Sequence, residues 1–553
     1  MPSASLRAFV VAALVVLAAP VQAIAQSSTD AQANQPQIAG DAGSNTTARF
    51  PTNKQNEPTV ALAPDGAHAI AGSNDEQKQP PCGPGPVRGA TAPANDCSFF
   101  PGVGTSGVYT SSDGGATWTN RGMLPGYNDT GAAVAPSAGP LPTSAAAGSL
   151  VSDGDPVVVF GPKLVSGTFT FAKGARAYYA NLSAFSSAGR PGNQFAEQIG
   201  VSISDDNGAS WFDPVVAAQS HGNVFNDKES IWADRNPGSP FFGRVYVSYS
   251  EFRPPSETAE PIVFVFSTDG GLTWSGQNQI SQAYNNRARG GRQGSVIRTG
   301  PGGEVYVIFE DSDNKIGDQQ VVVVSLDGGV TFSHKITISA IRSIADPIPG
   351  SNFRTDSFAS SGVDQTSGTV YAAWADAGSG SGRIVVSRSS DRGRTWSAPA
   401  TVSSAKQGYA FFQGLDVAPN GRVDVGFQGQ NAKKTATYGT GNASINSYYT
   451  ASTDGGKTWS TPLKISSAAS DPAASAQNNL QRQFWGDYNT LASNDATALF
   501  IYTDTRNGQG CAAVDAYQHG VDGSGPATAK PAPPSVCPAQ FGNSDVFVSK
   551  VTP

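Results

Sequence analysis

Apolar residues along this chain fall in short runs that alternate with polar positions, and Gly, Asn and Ser separate one run from the next. Thr369–Trp374 (TVYAAW) leads through a Gly-rich turn to Arg383–Arg388 (RIVVSR), and pairs of this kind recur along the sequence. Brief Val/Tyr-rich alternation punctuated by turn residues predicts β-strands rather than helices. Each unit has one grammar: a short first strand, a Gly-containing turn, a second strand, a loop, and a third strand that runs into a fixed phrase.

The phrase reads Ser-x-Asp-x-Gly-x-Thr-Trp. Its copies are Ser111–Trp118, Ser204–Trp211, Ser267–Trp274, Ser325–Phe332, Ser389–Trp396 and Ser452–Trp459, with Ser210 in place of Thr and Phe332 in place of Trp. Successive copies begin 93, 63, 58, 64 and 63 residues apart. A recurring period of this size with strands before each copy is a repeat architecture. The phrase forms a hairpin, and the aromatic residue opens a fourth strand. Four antiparallel strands per repeat make the blade of a β-propeller. First strands are expected at Glu57–Leu62, Asp155–Phe160, Lys228–Ala233, Gln293–Arg298, Thr355–Ser360, Phe412–Val417 and Asp487–Ser493. The fold class is therefore all-β, a single propeller of seven blades, with six as the alternative because the phrase occurs six times. The last blade lacks a phrase; residues near Thr46–Phe50 are expected to supply its fourth strand and close the ring.

The N-terminus has a different composition. Arg7 precedes the apolar run Phe9–Ala18, and Ala23-Ile24-Ala25 is a small-x-small cleavage site. Residues 1–25 read as a secretory signal peptide, 26–50 as a flexible polar leader, and 51–553 as the propeller. Export makes disulfides the natural state of the four cysteines, paired locally as Cys82–Cys97 and Cys511–Cys537. Charged residues make up 14% of the chain and the net charge is −7, which argues against a nucleic-acid partner. No later segment is long and apolar enough to span a bilayer. A monomer is expected. Four histidines and no HExxH give no zinc site. No cofactor is expected; Ca²⁺ on an acidic face is the one ion considered.

The phrase has a structural purpose. Its Asp and Ser side chains bond turn amides, its Gly takes positive φ, and its aromatic residue packs between blades. Six equivalent aspartates spread round a ring cannot converge on one substrate. Because the first and second strands are antiparallel, the start of one and the end of the other share a face, and the phrases lie on the opposite face. The site face then gathers Glu57, Asp155, Asp227, Lys228, Glu229, Arg292, Arg354, Asp356 and Asp487-Tyr488 from first strands. Second-strand ends add Asp75, Glu251, Glu310, Asp376 and Asp504, with Arg506 just beyond. Carboxylates beside aromatic surface suit a carbohydrate, and Arg forks suit a carboxylate on it.

The six phrases resemble the Asp boxes, or BNR repeats, of the sialidase superfamily, and the resemblance extends over roughly residues 50–553. It implies a secreted glycoside hydrolase acting at the termini of acidic glycans. Its machinery would be an Asp acid, a Tyr nucleophile activated by a Glu, and an Arg triad for the substrate carboxylate. In chain order these roles fall on Asp75, Tyr488, Glu229, and Arg292 with Arg354. The family's first triad Arg lies in a Phe/Tyr-Arg-Ile-Pro motif; here the matching stretch is Gln55-Asn56-Glu57-Pro58, so Glu57 stands where Arg belongs. Arg49 or Arg506 is then the stand-in. Three readings stay open: a hydrolase, using either Tyr488 or a carboxylate pair such as Asp75 and Glu229; a uronate-specific polysaccharide lyase; and a non-catalytic propeller that binds glycan or protein.

Overall fold

The computed structural model describes residues 27–35, 54–77, 85–87, 90–92, 104–127, 150–185, 197–220, 224–254, 259–283, 291–313, 316–378, 380–433, 436–439, 441, 443–477 and 479–553. Their strands form seven four-stranded antiparallel sheets. The sheets are the blades of a propeller, and each first strand lies innermost. These inner strands are Gln55–Leu62, Leu150–Val165, Phe225–Ala233, Arg292–Thr299, Ser360–Val363, Tyr409–Val417 and Thr490–Ser493. In blades 5 and 7 the strand begins later than the sequence pattern suggests, because the residues before it leave the ladder at the axial face.

The six repeated phrases close the outer hairpins of blades 1 to 6. In the third copy, Ser267 Oγ donates to Asp269 Oδ1 (2.8 Å) and accepts from the Gly271 amide (2.8 Å). Asp269 also receives the Thr273 amide (2.9 Å) and hydroxyl (2.5 Å). The aspartate thus replaces the hydrogen bonds that a tight turn leaves unmade. Phe332, the aromatic residue of the fourth copy, packs edge-on against Phe264 of the blade before it, with centroids 4.8 Å apart.

Blade 7 has no phrase because its outermost strand comes from the other end of the chain. Ser27–Gln32 pairs antiparallel with Asp545–Thr552. These residues were expected to be part of a flexible leader, with closure from Thr46–Phe50. Instead the closing strand is the polar run SSTDAQ, which lies on the sheet's outer edge and needs little apolar content. Residues 46–50 lie outside the described residues, as do the signal-peptide segment and Cys82 and Cys97. Cys511 and Cys537 are bonded, with Cα atoms 5.2 Å apart, and tie down the blade 7 insertion that carries the helix Ala512–Asp522. Among the described residues no helix is long and apolar enough to cross a membrane.

Closure is pinned by buried polar groups. Asn34 donates to Gln55 Oε1 (2.9 Å) and Asp545 Oδ1 (2.8 Å) and accepts from the Val546 amide (3.0 Å). It thereby ties the first blade, the last blade and the closing strand. Replacing Asn34 with Ala leaves Asp545 and Gln55 under-bonded in the interior. The substitution should lower the unfolding free energy by about 1–3 kcal/mol. Chemical denaturation measures this, and an unchanged midpoint and slope would contradict the closure described.

Candidate active site

The inner strands share a distortion on the axial face. In blades 1, 2, 3, 4 and 6 the ladder between the first two strands steps out of register at Asn56/Thr59, Gly154/Val157, Asp227/Ser230, Gln293/Val296 and Phe411/Gly414. One residue in each step adopts the left-handed region: Glu57 (φ 51°), Asp155 (54°), Lys228 (53°), Gly294 (64°) and Phe412 (46°). For residues other than Gly this conformation costs about 1–3 kcal/mol each, and such strain clusters at functional sites. Four non-Gly residues held this way round one axis make this face the candidate site.

These bulges surround an axial cavity of about 150 Å³ whose upper wall includes Lys228, Glu229, Asp356, Asp487 and Tyr488. Asn74 organises the wall from blade 1. Its amide nitrogen donates to Glu57 Oε2 (2.8 Å) and Asn56 Oδ1 (2.9 Å), and its oxygen accepts the Asp155 amide (2.7 Å). Two glycines permit the close approaches: a Cβ on Gly154 would lie 2.3 Å from Asn74 Oδ1, and one on Gly486 would lie 2.7 Å from Glu57 Cγ. Arg354 grips Asp487 with both arms (2.6 and 2.5 Å) and stands 4.0 Å from Glu57. The Lys228 ammonium lies 3.3 Å from the centre of the Tyr488 ring, a cation–π contact that fixes the ring.

Glu229 is 1% exposed, and neither of its carboxyl oxygens has a hydrogen-bond partner on another residue; the Tyr488 hydroxyl also has none. The two groups line the same cavity but are not hydrogen-bonded to each other. Burial, then the charge of Asp155, pushes the Glu229 carboxyl well above the usual range. Burial, then Asp155 and Asp487, does the same to Glu57, with Arg354 pulling the other way. Asp227, half-buried beside them, is pushed up to about 7 by loss of water and by Asp155 and Asp487. Burial, with the surrounding carboxylates, also raises the Tyr488 hydroxyl far above its ordinary value. Raising both groups works against proton transfer from the Tyr488 hydroxyl to Glu229.

Of the residues expected at the site, Glu57, Asp155, Glu229, Arg354, Asp487 and Tyr488 come together. Three do not. Asp75 is fully buried within blade 1 and accepts from Gln55 (3.0 Å), the Gln77 amide (3.0 Å) and Tyr109 (2.9 Å). Arg292 is buried against Asp311, its cross-strand partner (3.0 Å). Arg506 holds Asp504 (2.7 Å) and Asp30 (2.9 Å) at the closing strand. Among the described residues, Arg354 is the arginine bound to the carboxylates of this mouth, while Arg292 and Arg506 are engaged elsewhere. Sequence reasoning gave no role to Asn74 or to Lys228 as a prop for Tyr488. The Asn at the end of a second strand, next to Asp75, was the available signal. Among the described residues, no three acidic, His or Cys side chains are arranged to hold a metal ion.

No protein-family profile matches the chain, and no curated protein matches it in sequence. Solved structures that resemble it include an α-L-arabinofuranosidase from Fusarium graminearum in complex with an iminosugar inhibitor. It is 13% identical, with a TM-score of 0.41, covering 95% of this chain and 98% of that one. A Hadza microbial sialidase is 16% identical with a TM-score of 0.38, covering 74% and 73%. The NanB sialidase of Streptococcus pneumoniae is 12% identical with a TM-score of 0.37, covering 86% and 95%.

The acids of this molecule fall into two classes with opposite effects on stability. Although loss of water pushes Asp113 upward, bonds from Thr117, Ser111 and the turn amides hold it at about 2, and Asp327 and Asp454 behave alike. Their stabilisation is complete above the unfolded value near ~4 and is lost as pH falls towards 2. Asp227 (about 7), Glu76 (about 7) and Glu310 (about 8) are raised mainly by burial, so the folded state binds their protons more tightly. Their contribution is complete below ~4 and is lost as pH rises through 7 to 8. The thermal midpoint should therefore peak in weak acid and fall on both sides. A midpoint that climbs steadily from pH 5 to 8 would refute these assignments.

Proposed function

We propose that the axial face hydrolyses glycosidic bonds with a pair of carboxyl groups, and that its sugar is uncharged or cationic rather than acidic. Glu229 carries this reading: a buried carboxyl with no hydrogen-bond partner on another residue, open to the axial cavity and biased towards its protonated form. It is placed to act as the general acid and protonate the leaving oxygen. Asp155, half-buried at the same mouth and fixed through its backbone to Asn74, is the partner carboxylate that takes the proton of the attacking water or attacks the anomeric carbon itself. In either route the glycosidic C–O bond breaks, water supplies the new C–O bond, and the sugar leaves as the free hemiacetal. Tyr488, propped by Lys228, orients a sugar hydroxyl.

The sugar's charge follows from the wall. Glu57, Asp155, Asp227 and Asp487 crowd the mouth, and Arg354 is already bound to one of them. With Arg354 held by Asp487 and Lys228 held over Tyr488, a sugar carboxylate finds no free guanidinium fork there among the described residues, which also weighs against a uronate lyase. The Cys511–Cys537 bond supports an extracytoplasmic setting.

A panel of fluorogenic glycosides, including neutral pyranosides and furanosides, glucosaminides and a sialoside, tests the reading. Activity is expected on an uncharged or amino sugar. Glu229→Gln should lower kcat by about 10²–10⁴-fold, while Tyr488→Phe should mainly raise KM. Cleavage of the sialoside, abolished by Tyr488→Phe, would overturn the reading in favour of tyrosine chemistry. Sugar binding without turnover across the panel would favour a non-catalytic propeller.

A further inference from the structure

The axial cavity has a second end. Inner strands run from the acidic mouth towards the face that carries the repeated hairpins, so Trp232 lies about 10 Å beyond Glu229 along the same strand. There two arginines meet one indole. The Arg298 guanidinium, from the end of the blade 4 inner strand, lies 4.2 Å from the Trp232 ring centre, and Arg235 lies 4.4 Å from it. Trp232 is itself fixed by a bond from its indole N–H to Thr299 Oγ1 (3.0 Å). All three line the cavity.

Neither guanidinium has a salt-bridge partner among the described residues. Arg298 Nη1 donates to the Ile297 carbonyl (2.7 Å), and its Nε is buried with no partner. Two acids are nearby: Asp416, which also lines the cavity and accepts the amides of Val417 and Ser493 (both 2.9 Å), and, beside Arg235, Asp234, which accepts from the Ser239 hydroxyl (2.5 Å) and the Asn236 amide (3.2 Å). Burial is the largest influence on Arg298 and pulls it down to about 10; Asp416 opposes this and Arg235 adds to it. Two guanidinium groups over one ring, neither in an ion pair and one with an orphaned buried donor, keep hydrogen-bonding capacity that an anion in the cavity would satisfy.

We propose that this lower mouth is an anion site, in which Arg235 and Arg298 hold an oxyanion beside Trp232. The ligand chemistry is a planar or tetrahedral oxyanion that accepts forked, charge-assisted hydrogen bonds. It is carried either by a free inorganic ion or by an acidic sugar whose ring lies on the indole edge. The site is separate from the acidic mouth and does not depend on the activity proposed for it. The cavity would thus be acidic at one end and anion-binding at the other.

Calorimetric titration of the full chain with inorganic phosphate and, separately, with glucuronate, at constant ionic strength in chloride, tests the site. Saturable binding at one site per chain is expected, with a rise in the thermal midpoint. Arg235→Gln, at an exposed position, should weaken binding about tenfold or more without altering the fold, and Arg298→Gln should do the same. Tighter binding of glucuronate than of phosphate supports the saccharide source, and the reverse supports the free ion. Absence of saturable binding by either probe to the folded protein overturns the proposal. Binding that Arg235→Gln leaves unchanged also overturns it, even if Arg298→Gln fails to fold.

Discussion

Everything in this molecule depends on closing the ring. Each blade buries its two faces only against its neighbours, so an open ring would leave the faces of blades 1 and 7 in water. Closure is made by pairing Ser27–Gln32 with Asp545–Thr552, by Asn34 reaching both end blades, and by Arg506 joining Asp30 to Asp504. The strand that does this is among the most polar in the protein. It contributes hydrogen bonds rather than apolar area, and its ends are held by buried amide and ion-pair contacts.

A closed ring brings the starts of seven inner strands to one axis, and the repeated bulges decide what meets there. A regular strand would alternate its side chains between the two blade faces. The register steps instead place Glu57, Asp155 and Lys228 in left-handed backbone at the mouth. Crowding then sets the chemistry: carboxyls that would ionise singly cannot all do so together, and Glu57 and Glu229, the most buried, shift furthest towards the neutral form. The opposite end has the reverse problem, two guanidinium groups with acids nearby but no ion-pair partner among the described residues. The polarity of the cavity follows from which residues happen to begin and end the inner strands.

Much of the fold was legible in the sequence because it is written by period. The six phrases and the alternating runs located six outer hairpins and six of the seven inner strands; in blade 5 the expected Thr355–Ser360 meets the observed Ser360–Val363 at a single residue. The closing strand was not legible, since SSTDAQ carries no alternation and an edge strand requires none. The site was legible by position but not by direction. Glu57, Asp155, Glu229, Asp487 and Tyr488 were expected together, and lie together, because strand starts converge. Asp75 and Arg292 were expected at the mouth but are each engaged by a cross-strand partner, Gln55 or Asp311, and pairing across a ladder is not written in spacing along the chain. Arg506 follows a second strand as a site residue would, yet its partner Asp30 lies at the far end of the sequence. The basic lower mouth left no motif at all: Arg235, Arg298 and Trp232 come from two blades and meet only in the folded ring.

The account stands on the claim that Glu229 is an unengaged acid facing a sugar-binding cavity. Crystals of the protein soaked with a panel of neutral and amino monosaccharides at high concentration test it most directly. The account predicts a sugar ring in the axial mouth, with a hydroxyl or ring oxygen within hydrogen-bond distance of Glu229 and Tyr488. A Glu229 carboxyl found bonded to protein groups, with sugar density only elsewhere on the surface, would contradict it.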